Sequence, residues 1–188
     1  RHPLSQALKK AKFPMIIVGQ DALIRQDGAH LLARVRSLAE EFNMVRPDWN
    51  GFNVLHKAAA RVGGLDVGFI PGEQGLDKNN ILVAAAKGDI EVIYLLGADE
   101  IEMNHLGQAF VIYQGHHGDA GAHRADVILP GAAYTEKQAT YVNTEGRVQQ
   151  TYPSLLPPGE AKEDWKIIRA LSQVLVKNLP YNTLEEIR

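Results

Sequence analysis

The sequence predicts an α/β fold, in which an open, mostly parallel sheet carries helices on both faces. Two patterns lead to this prediction: short apolar runs that end at glycine, and segments of helical periodicity that alternate with those runs. Continuous apolar runs are typical of parallel strands that are covered on both faces. Because such runs alternate with helices, we expect crossover connections between neighbouring parallel strands.

The first apolar run, Met15–Val18, ends at Gly19 and is predicted to be a buried parallel strand. Asp27 is a suitable N-cap for the helix that follows, because its side chain can accept a bond from a free backbone N–H. The further elements predicted in the first half of the chain are a helix at Leu32–Phe42, a helix from about Asn53 to Gly63–Gly64, a short strand at Leu65–Phe69 and a helix at Ile81–Lys87 that ends at Gly88.

Three clearer strands are predicted in the second half, since Val, Ile, Phe and Tyr favour strands and each run is short and bounded by turn residues. They are Val92–Leu96, Phe110–Tyr113 and Val127–Leu129. Thr140–Gln149 is predicted to form a strand, a turn at Asn143–Gly146 and a return strand. The last long helix is expected from about Asp164 to Lys177.

These elements are expected to form a single α/β domain over residues 1–188, taken as a fragment of a larger chain because it does not start with Met. A hairpin and a proline-rich linker are assigned to 138–160, and a C-terminal helix to 161–179. Ligands of open parallel sheets usually sit beyond the carboxyl ends of the strands. In this chain those ends carry Gly19, Gly97, Gln114–Gly115 and Pro130–Gly131.

The composition excludes several classes of protein. Apolar residues make up 45% and charged residues 22% of the 188 residues, so wholesale disorder is not expected. The net charge of −2 does not suit a nucleic-acid binder, which normally has a basic face. No apolar run approaches the length of about 20 residues that a membrane helix needs. The chain has no cysteine, which excludes disulfides, thiolate catalysis and Cys-ligated zinc or iron–sulfur clusters within it.

The most unusual stretch is Gln114–His123, which holds three of the seven histidines just after a predicted strand. The candidate metal ligands or general bases are His116, His117, Asp119 and His123. Imidazole binds zinc and titrates near neutrality, and this segment resembles the tandem-histidine segment of zinc-dependent deacetylases. That resemblance would imply a metal-dependent hydrolase, although a neutral glutamine stands where those enzymes have a ligating aspartate. The alternative is a glycine-rich turn whose polar side chains bond to the backbone or to a neighbouring subunit.

Three further features leave alternatives open. Glycine-ended strands can indicate a nucleotide site, but no G-x-G-x-x-G or P-loop pattern is present. Asp99, Glu100 and Glu102 could do acid–base work or bind a divalent cation, or they could line a solvated loop. Arg147 could clamp an anion, or it could simply pair with Glu145 on a surface hairpin.

Several blocks from Val92 onward carry a specific resemblance, which reaches back to the strand that begins near Pro14. The blocks are Tyr94–Asp99, Tyr113–Asp119, Ala125–Lys137, Asn143–Gln149 and Asp164–Ser172. Together they resemble the large iron–sulfur subunits of respiratory complex I, the NADH:ubiquinone oxidoreductase. Those subunits are similar in turn to molybdopterin-dependent oxidoreductases, in which an α/β domain of this kind helps to bind the guanine nucleotide end of the molybdenum cofactor.

The chain departs from the molybdenum enzymes at two strand ends. Those enzymes commonly have Gly-x-Asn-Pro after one strand, where this chain has Gly97–Glu100, and Gln-Asp after the next, where it has Gln114–Gly115. New carboxylates beside a polyanionic cofactor would repel it. The resemblance therefore implies a domain that keeps the fold and has lost the cofactor, with no catalytic, cofactor-binding or metal residue. The alternative is a retained molybdopterin or nucleotide-binding domain.

The resemblance also implies a place in the respiratory chain, in an assembly that passes electrons from NADH to quinone. The parent chain would bind 2Fe–2S and 4Fe–4S clusters through cysteines outside this fragment. The fragment itself would be a scaffold that packs against other peripheral-arm subunits, without contact with nucleic acid and without membrane insertion. It would lie at the cytoplasmic face of a bacterial inner membrane or at the matrix face of the mitochondrial one.

Overall fold

The computed structural model describes residues 2–188 and confirms the α/β class. The described chain forms two compact units. The first contains the residues up to Ile70 together with Thr140–Gln149, and the second contains Pro71–Ala139 and Gln150–Arg188. The expectation of one open sheet is wrong, because the strands lie in separate small sheets, of which the largest has three strands. The expected domain boundaries stay a prediction.

The first unit is built mainly around a two-stranded parallel sheet. Its elements are α1 (Pro3–Lys10), β1 (Ile16–Gly19), α2 (Gln20–Leu23), α3 (Gly28–Glu41), β2 (Val45–Arg46), β3 (Trp49–Asn50), β4 (Phe52–Leu55) and α4 (Arg61–Asp66). Strands β1 and β4 pair in parallel, with Ile16 opposite Phe52. These two side chains pack against a buried cluster of Ala39, Phe42 and Met44, which ties α3 to one face of the sheet.

The second unit contains a three-stranded parallel sheet in the order β5–β6–β7. Its elements are α5 (Lys78–Lys87), β5 (Val92–Leu96), a 3₁₀ helix (Met103–Leu106), β6 (Phe110–Gly115), α6 (Ala120–Arg124), β7 (Val127–Pro130), α7 (Asp164–Val174) and α8 (Leu184–Ile187). The buried core of this unit consists of Ala85, Ile93, Leu95, Leu106, Ala109, Val111 and Tyr113. The sheet therefore has its central strand, β6, at the centre of the core.

The remaining strands, β8 (Ala139–Val142) and β9 (Val148–Thr151), form the predicted hairpin. Its turn is closed by Asn143, whose Oδ1 accepts backbone bonds from Glu145 N at 3.0 Å and Arg147 N at 2.9 Å. The strands predicted at Val92–Leu96 and Val127–Leu129 are confirmed within one residue. The helix that ends before Gly88 is confirmed too, and Gly88 has the left-handed φ of 83° that suits a glycine after a helix.

Two predictions between residues 53 and 69 are wrong. Phe52–Leu55 is a strand rather than the start of a helix, because its backbone pairs with β1. Gly63 and Gly64 do not end a helix but lie inside α4, and the strand expected at Leu65–Phe69 is the end of α4 followed by a turn. In that turn Phe69 N donates to Gly64 O at 2.8 Å. Long-range pairing thus overrides the local apolar spacing here.

Asp27 stands at the N-cap position of α3 as predicted, but its side chain makes no capping bond. It accepts instead from the guanidinium of Arg25, at 2.8 Å and 3.0 Å. Within residues 2–188, the helices are all too short or too polar to cross a bilayer.

Candidate functional site at the carboxyl edge of the second unit

The carboxyl ends of β5, β6 and β7 meet at one edge of the second unit, and backbone bonds continue beyond the strands there. Gly97 N donates to Gln114 O at 2.7 Å, and Gly131 N donates to Gly115 O at 2.8 Å. Gly131 also forms a parallel bridge with Lys162, just before α7. This carboxyl edge is where an α/β sheet generally takes its ligand, so it is the first candidate site.

Gln114 lies at the centre of this edge and is completely buried. Its Oε1 accepts a hydrogen bond from the hydroxyl of Tyr94, and its Nε2 donates to Oδ1 of Asp164 at 2.8 Å. The other carboxylate oxygen of Asp164 pairs with Nζ of Lys137. Tyr94, Gln114, Lys137 and Asp164 are called the Gln114 clasp below. Both polar ends of the buried amide are satisfied inside the protein.

The clasp also affects the phenol of Tyr94. Burial raises the pKa of Tyr94 above its usual value, and the negative charge of Asp164 raises it further. The hydroxyl therefore stays protonated and remains a donor to Gln114 over the physiological range.

A second polar group joins the loops after β5 and β6. The hydroxyl of Tyr113 donates to Oδ1 of Asp119 at 3.1 Å. Burial, followed by the bond to Asp119, raises the pKa of Tyr113 to about 12. The neighbouring carboxyl group of Asp119 raises the pKa of Asp99, whereas its interaction with Asp99 lowers the pKa of Asp119. The opposite shifts mean that the pair is most favourable when Asp99 carries a proton and Asp119 is ionised.

The structure does not assemble the four predicted metal candidates into one ligand set. His116 and His117 are exposed, with ring centroids 4.2 Å apart, and His123 is exposed on α6. Asp119 is engaged with Asp99 and Tyr113 instead. Among residues 2–188, His, Asp and Glu side chains form no cluster of three or more that could hold a metal ion. Glu100, a neighbour of Asp99, contributes only a further negative charge that raises the pKa of Asp99.

Arg147, the candidate anion clamp, lies on the hairpin and pairs with Glu145 at 3.5 Å, with both side chains about two-thirds exposed. Beside Glu145, the first unit has an open cleft of about 610 Å³ whose floor includes Met15, Ile17 and Trp49. The cleft holds no convergent set of buried polar groups, so it is a weaker candidate than the carboxyl edge.

Sequence reasoning missed three members of the clasp, namely Tyr94, Lys137 and Asp164. Asp164 is separated from Gln114 by 50 residues, and spacing along the chain gives no sign that they meet. A glutamine at the end of an apolar strand was the only local signal, since a buried amide requires polar partners.

The chain resembles known proteins over its whole length. Residues 1–174 match the family described as molybdopterin oxidoreductase. The NADH-ubiquinone oxidoreductase 75 kDa subunit of Reclinomonas americana is 50% identical over 187 residues, which are 100% of this chain and 26% of that protein. The mitochondrial NADH dehydrogenase (ubiquinone) iron-sulfur protein 1 of Solanum tuberosum is 48% identical over 189 residues, 100% of this chain and 24% of that protein.

An NADH-quinone oxidoreductase subunit of Rickettsia bellii is 46% identical over 187 residues, again 100% of this chain and 26% of that protein. The chain therefore spans about a quarter of the length of these curated relatives. The resemblance to the large subunits of NADH:quinone oxidoreductase is confirmed. By the match over residues 1–174, the chain belongs to the molybdopterin oxidoreductase family.

Proposed function

We propose that this chain is a structural α/β domain, without a cofactor of its own, in the large subunit of an NADH:quinone oxidoreductase. Identity of 46–50% over the whole chain to proteins of that name supports the assignment to this subunit. The observation that carries the structural role is the Gln114 clasp, whose polar groups bond to one another at the edge where a family member would take its nucleotide.

The residues at this edge do not fit the nucleotide end of a molybdenum cofactor. Gln114 is completely buried, and both of its side-chain polar atoms are bonded within the clasp. Lys137, which could otherwise attract a phosphate, is paired with Asp164. Asp99 and Asp119 add negative charge at the same edge, and a polyanion would be repelled by them.

The clusters of the parent subunit would depend on residues beyond this segment. The chain contains no cysteine, so it supplies no thiolate to a 2Fe–2S or 4Fe–4S cluster. The chain would therefore contribute to electron transfer from NADH to quinone only by stabilising the part of the subunit that binds the clusters. The partners are other subunits of the peripheral arm, at the cytoplasmic face of a bacterial inner membrane or at the matrix face of the mitochondrial one.

The test uses the full-length parent chain, tagged and purified from its source with its partners. We expect NADH–ferricyanide reductase activity and iron, without molybdenum in stoichiometric amount. A guanine nucleotide at about 1 mM should leave the unfolding temperature unchanged, whereas a Kd of about 10 µM would add about 2.7 kcal/mol of stability.

Two results would contradict the proposal in different ways. One molybdenum per chain, or stabilisation by guanosine diphosphate, would show a retained cofactor domain. Stoichiometric zinc that disappears in His116→Ala but persists in the matched variant His30→Ala, without iron or reductase activity, would favour the metal-dependent hydrolase.

A further inference from the structure

The start of α7 is joined to the carboxyl edge of the sheet by its backbone. Ala132 N donates to Lys162 O at 2.8 Å, and Lys162 N donates to Pro130 O at 3.1 Å. A Cβ at Gly131 would lie 3.2 Å from Oδ1 of Asp164, which is closer than most real contacts of a Cβ. The first residue of α7 is therefore held against the end of β7 with little free space.

The Gln114 clasp adds a side-chain connection from the central strand to the same point. Its bond from Gln114 Nε2 to Asp164 Oδ1, at 2.8 Å, joins the end of β6 to the first residue of α7. Lys137 pairs with the other oxygen of the same side chain. Hydrogen bonds to acidic side chains are generally stronger than bonds between neutral groups, so this bond is a substantial connection between β6 and α7.

We infer that Gln114 is a positioning residue, which fixes the start of α7 against the sheet. The Gln114 clasp thereby stabilises, with side chains of the chain itself, an edge at which related folds place a ligand. Only the statement that the clasp takes the place of a ligand rests on the proposed function. The inference about Gln114 and α7 is tested on the helix itself, and its failure would leave the assignment to the oxidoreductase subunit untouched.

The experiment measures hydrogen–deuterium exchange of the peptide that covers 161–175, in the full-length parent chain. Gln114→Glu places a second carboxyl group against Asp164 without a change in side-chain size. The two groups either repel as like charges or must bind a proton, which costs more free energy as the pH rises, so exchange is measured at about pH 8. We expect exchange in this peptide to become at least about tenfold faster. Gln108→Glu is the matched control, because Gln108 is exposed just before β6, and it should leave the exchange unchanged.

The double variant Gln114→Glu/Asp164→Asn exchanges the amide and the carboxylate across the same contact. The new carboxylate at position 114 can still accept from Tyr94 and from the new amide, whose oxygen can still accept from Lys137. We expect the double variant to restore exchange to within about twofold of the wild type, because the bonds and the net charge are conserved. The inference is overturned if the single variant leaves α7 as protected as before, or if the double variant exchanges as fast as the single one.

Discussion

The ring of Tyr113 on β6 lies directly against Gly121 on α6. A Cβ at Gly121 would stand 2.6 Å from Cε2 of that ring, and a Cβ at Gly115 would stand 2.3 Å from its Cζ. Side chains do not tolerate such distances, so both positions require glycine while the ring keeps its place. The ring in turn presents its hydroxyl to Asp119 at 3.1 Å. Two glycines thus determine where the phenol meets the carboxylate pair.

Gly121→Ala is therefore expected to destabilise the protein by about 1–3 kcal/mol, as overpacking of a well-filled core does. Urea unfolding of the 188-residue chain measures the change. Gly118→Ala is the matched control, since a Cβ at Gly118 would meet no atom within 4 Å. It should change the free energy of unfolding by less than about 0.5 kcal/mol. Equal effects of the two substitutions would contradict the close packing of Tyr113.

The opposite pKa shifts of Asp99 and Asp119 make the free energy of unfolding depend on pH. The raised pKa of Asp99 means that the folded protein holds this proton more tightly than the unfolded chain does. The stability that results is present below the ordinary pKa of 3.8 and is lost as the pH rises through the raised value. For Asp119 the lowered pKa acts in the opposite sense, so its contribution is lost as the pH falls through the lowered value.

Asp99→Asn should remove the contribution of Asp99 to the pH dependence of the free energy of unfolding. Its amide can donate to Asp119 at any pH, so the stability of the variant relative to the wild type should rise between about pH 3 and pH 7. Urea midpoints measured across that range provide the comparison. Glu73→Gln, an exposed loop substitution in the same unit, serves as control. A difference between Asp99→Asn and wild type that stays constant with pH would show that the pKa of Asp99 is not raised in the folded protein.

Local patterns in the sequence were sufficient to predict the parallel strands of the second unit, and β5 and β7 lie within one residue of their predicted bounds. They failed for Phe52–Leu55, because that segment is a strand only through its pairing with β1. The number of sheets could not be predicted either, since apolar runs identify strands but not their neighbours.

For the candidate site, the sequence pointed to the carboxyl ends of the strands and singled out Asp119 as a metal ligand. It could not show that Gln114 meets Asp164, because no local rule joins residues 50 positions apart. Nor could it show that Asp119 bonds to Tyr113 rather than joining the histidines in a metal site.

Asp77 begins α5 with a capping bond, in which its side chain accepts from Asn80 N at 2.9 Å. Asp77→Ala should lower stability by about 1 kcal/mol, because this N–H loses its acceptor. Asp77→Asn retains an acceptor oxygen and should cost much less. Thermal unfolding of both variants measures the difference, and equal losses would mean that the charge of Asp77, rather than the bond, stabilises the helix.

Val176 follows α7 in the left-handed region, with φ of 55°, although it is β-branched. The backbone there closes the helix in a Schellman motif: Val176 N donates to Gln173 O at 3.0 Å and Lys177 N to Ser172 O at 2.9 Å. Because the side chain is 83% exposed, its removal sacrifices little apolar burial. Val176→Gly should therefore stabilise the protein by about 1 kcal/mol, the strain relieved exceeding the entropy that glycine adds to the unfolded chain.

The neighbouring Val174 provides a control with the opposite expected sign. It is similarly exposed, at 78%, but it is the last residue of α7 and keeps a helical backbone. Val174→Gly should destabilise the protein by about 0.5–1 kcal/mol, because glycine is a poor helix residue and nothing strained is relieved. Urea unfolding of both variants under the same conditions measures the two effects. If both substitutions destabilise equally, the positive φ of Val176 imposes no measurable strain, and the entropy that glycine adds to the unfolded chain accounts for both losses.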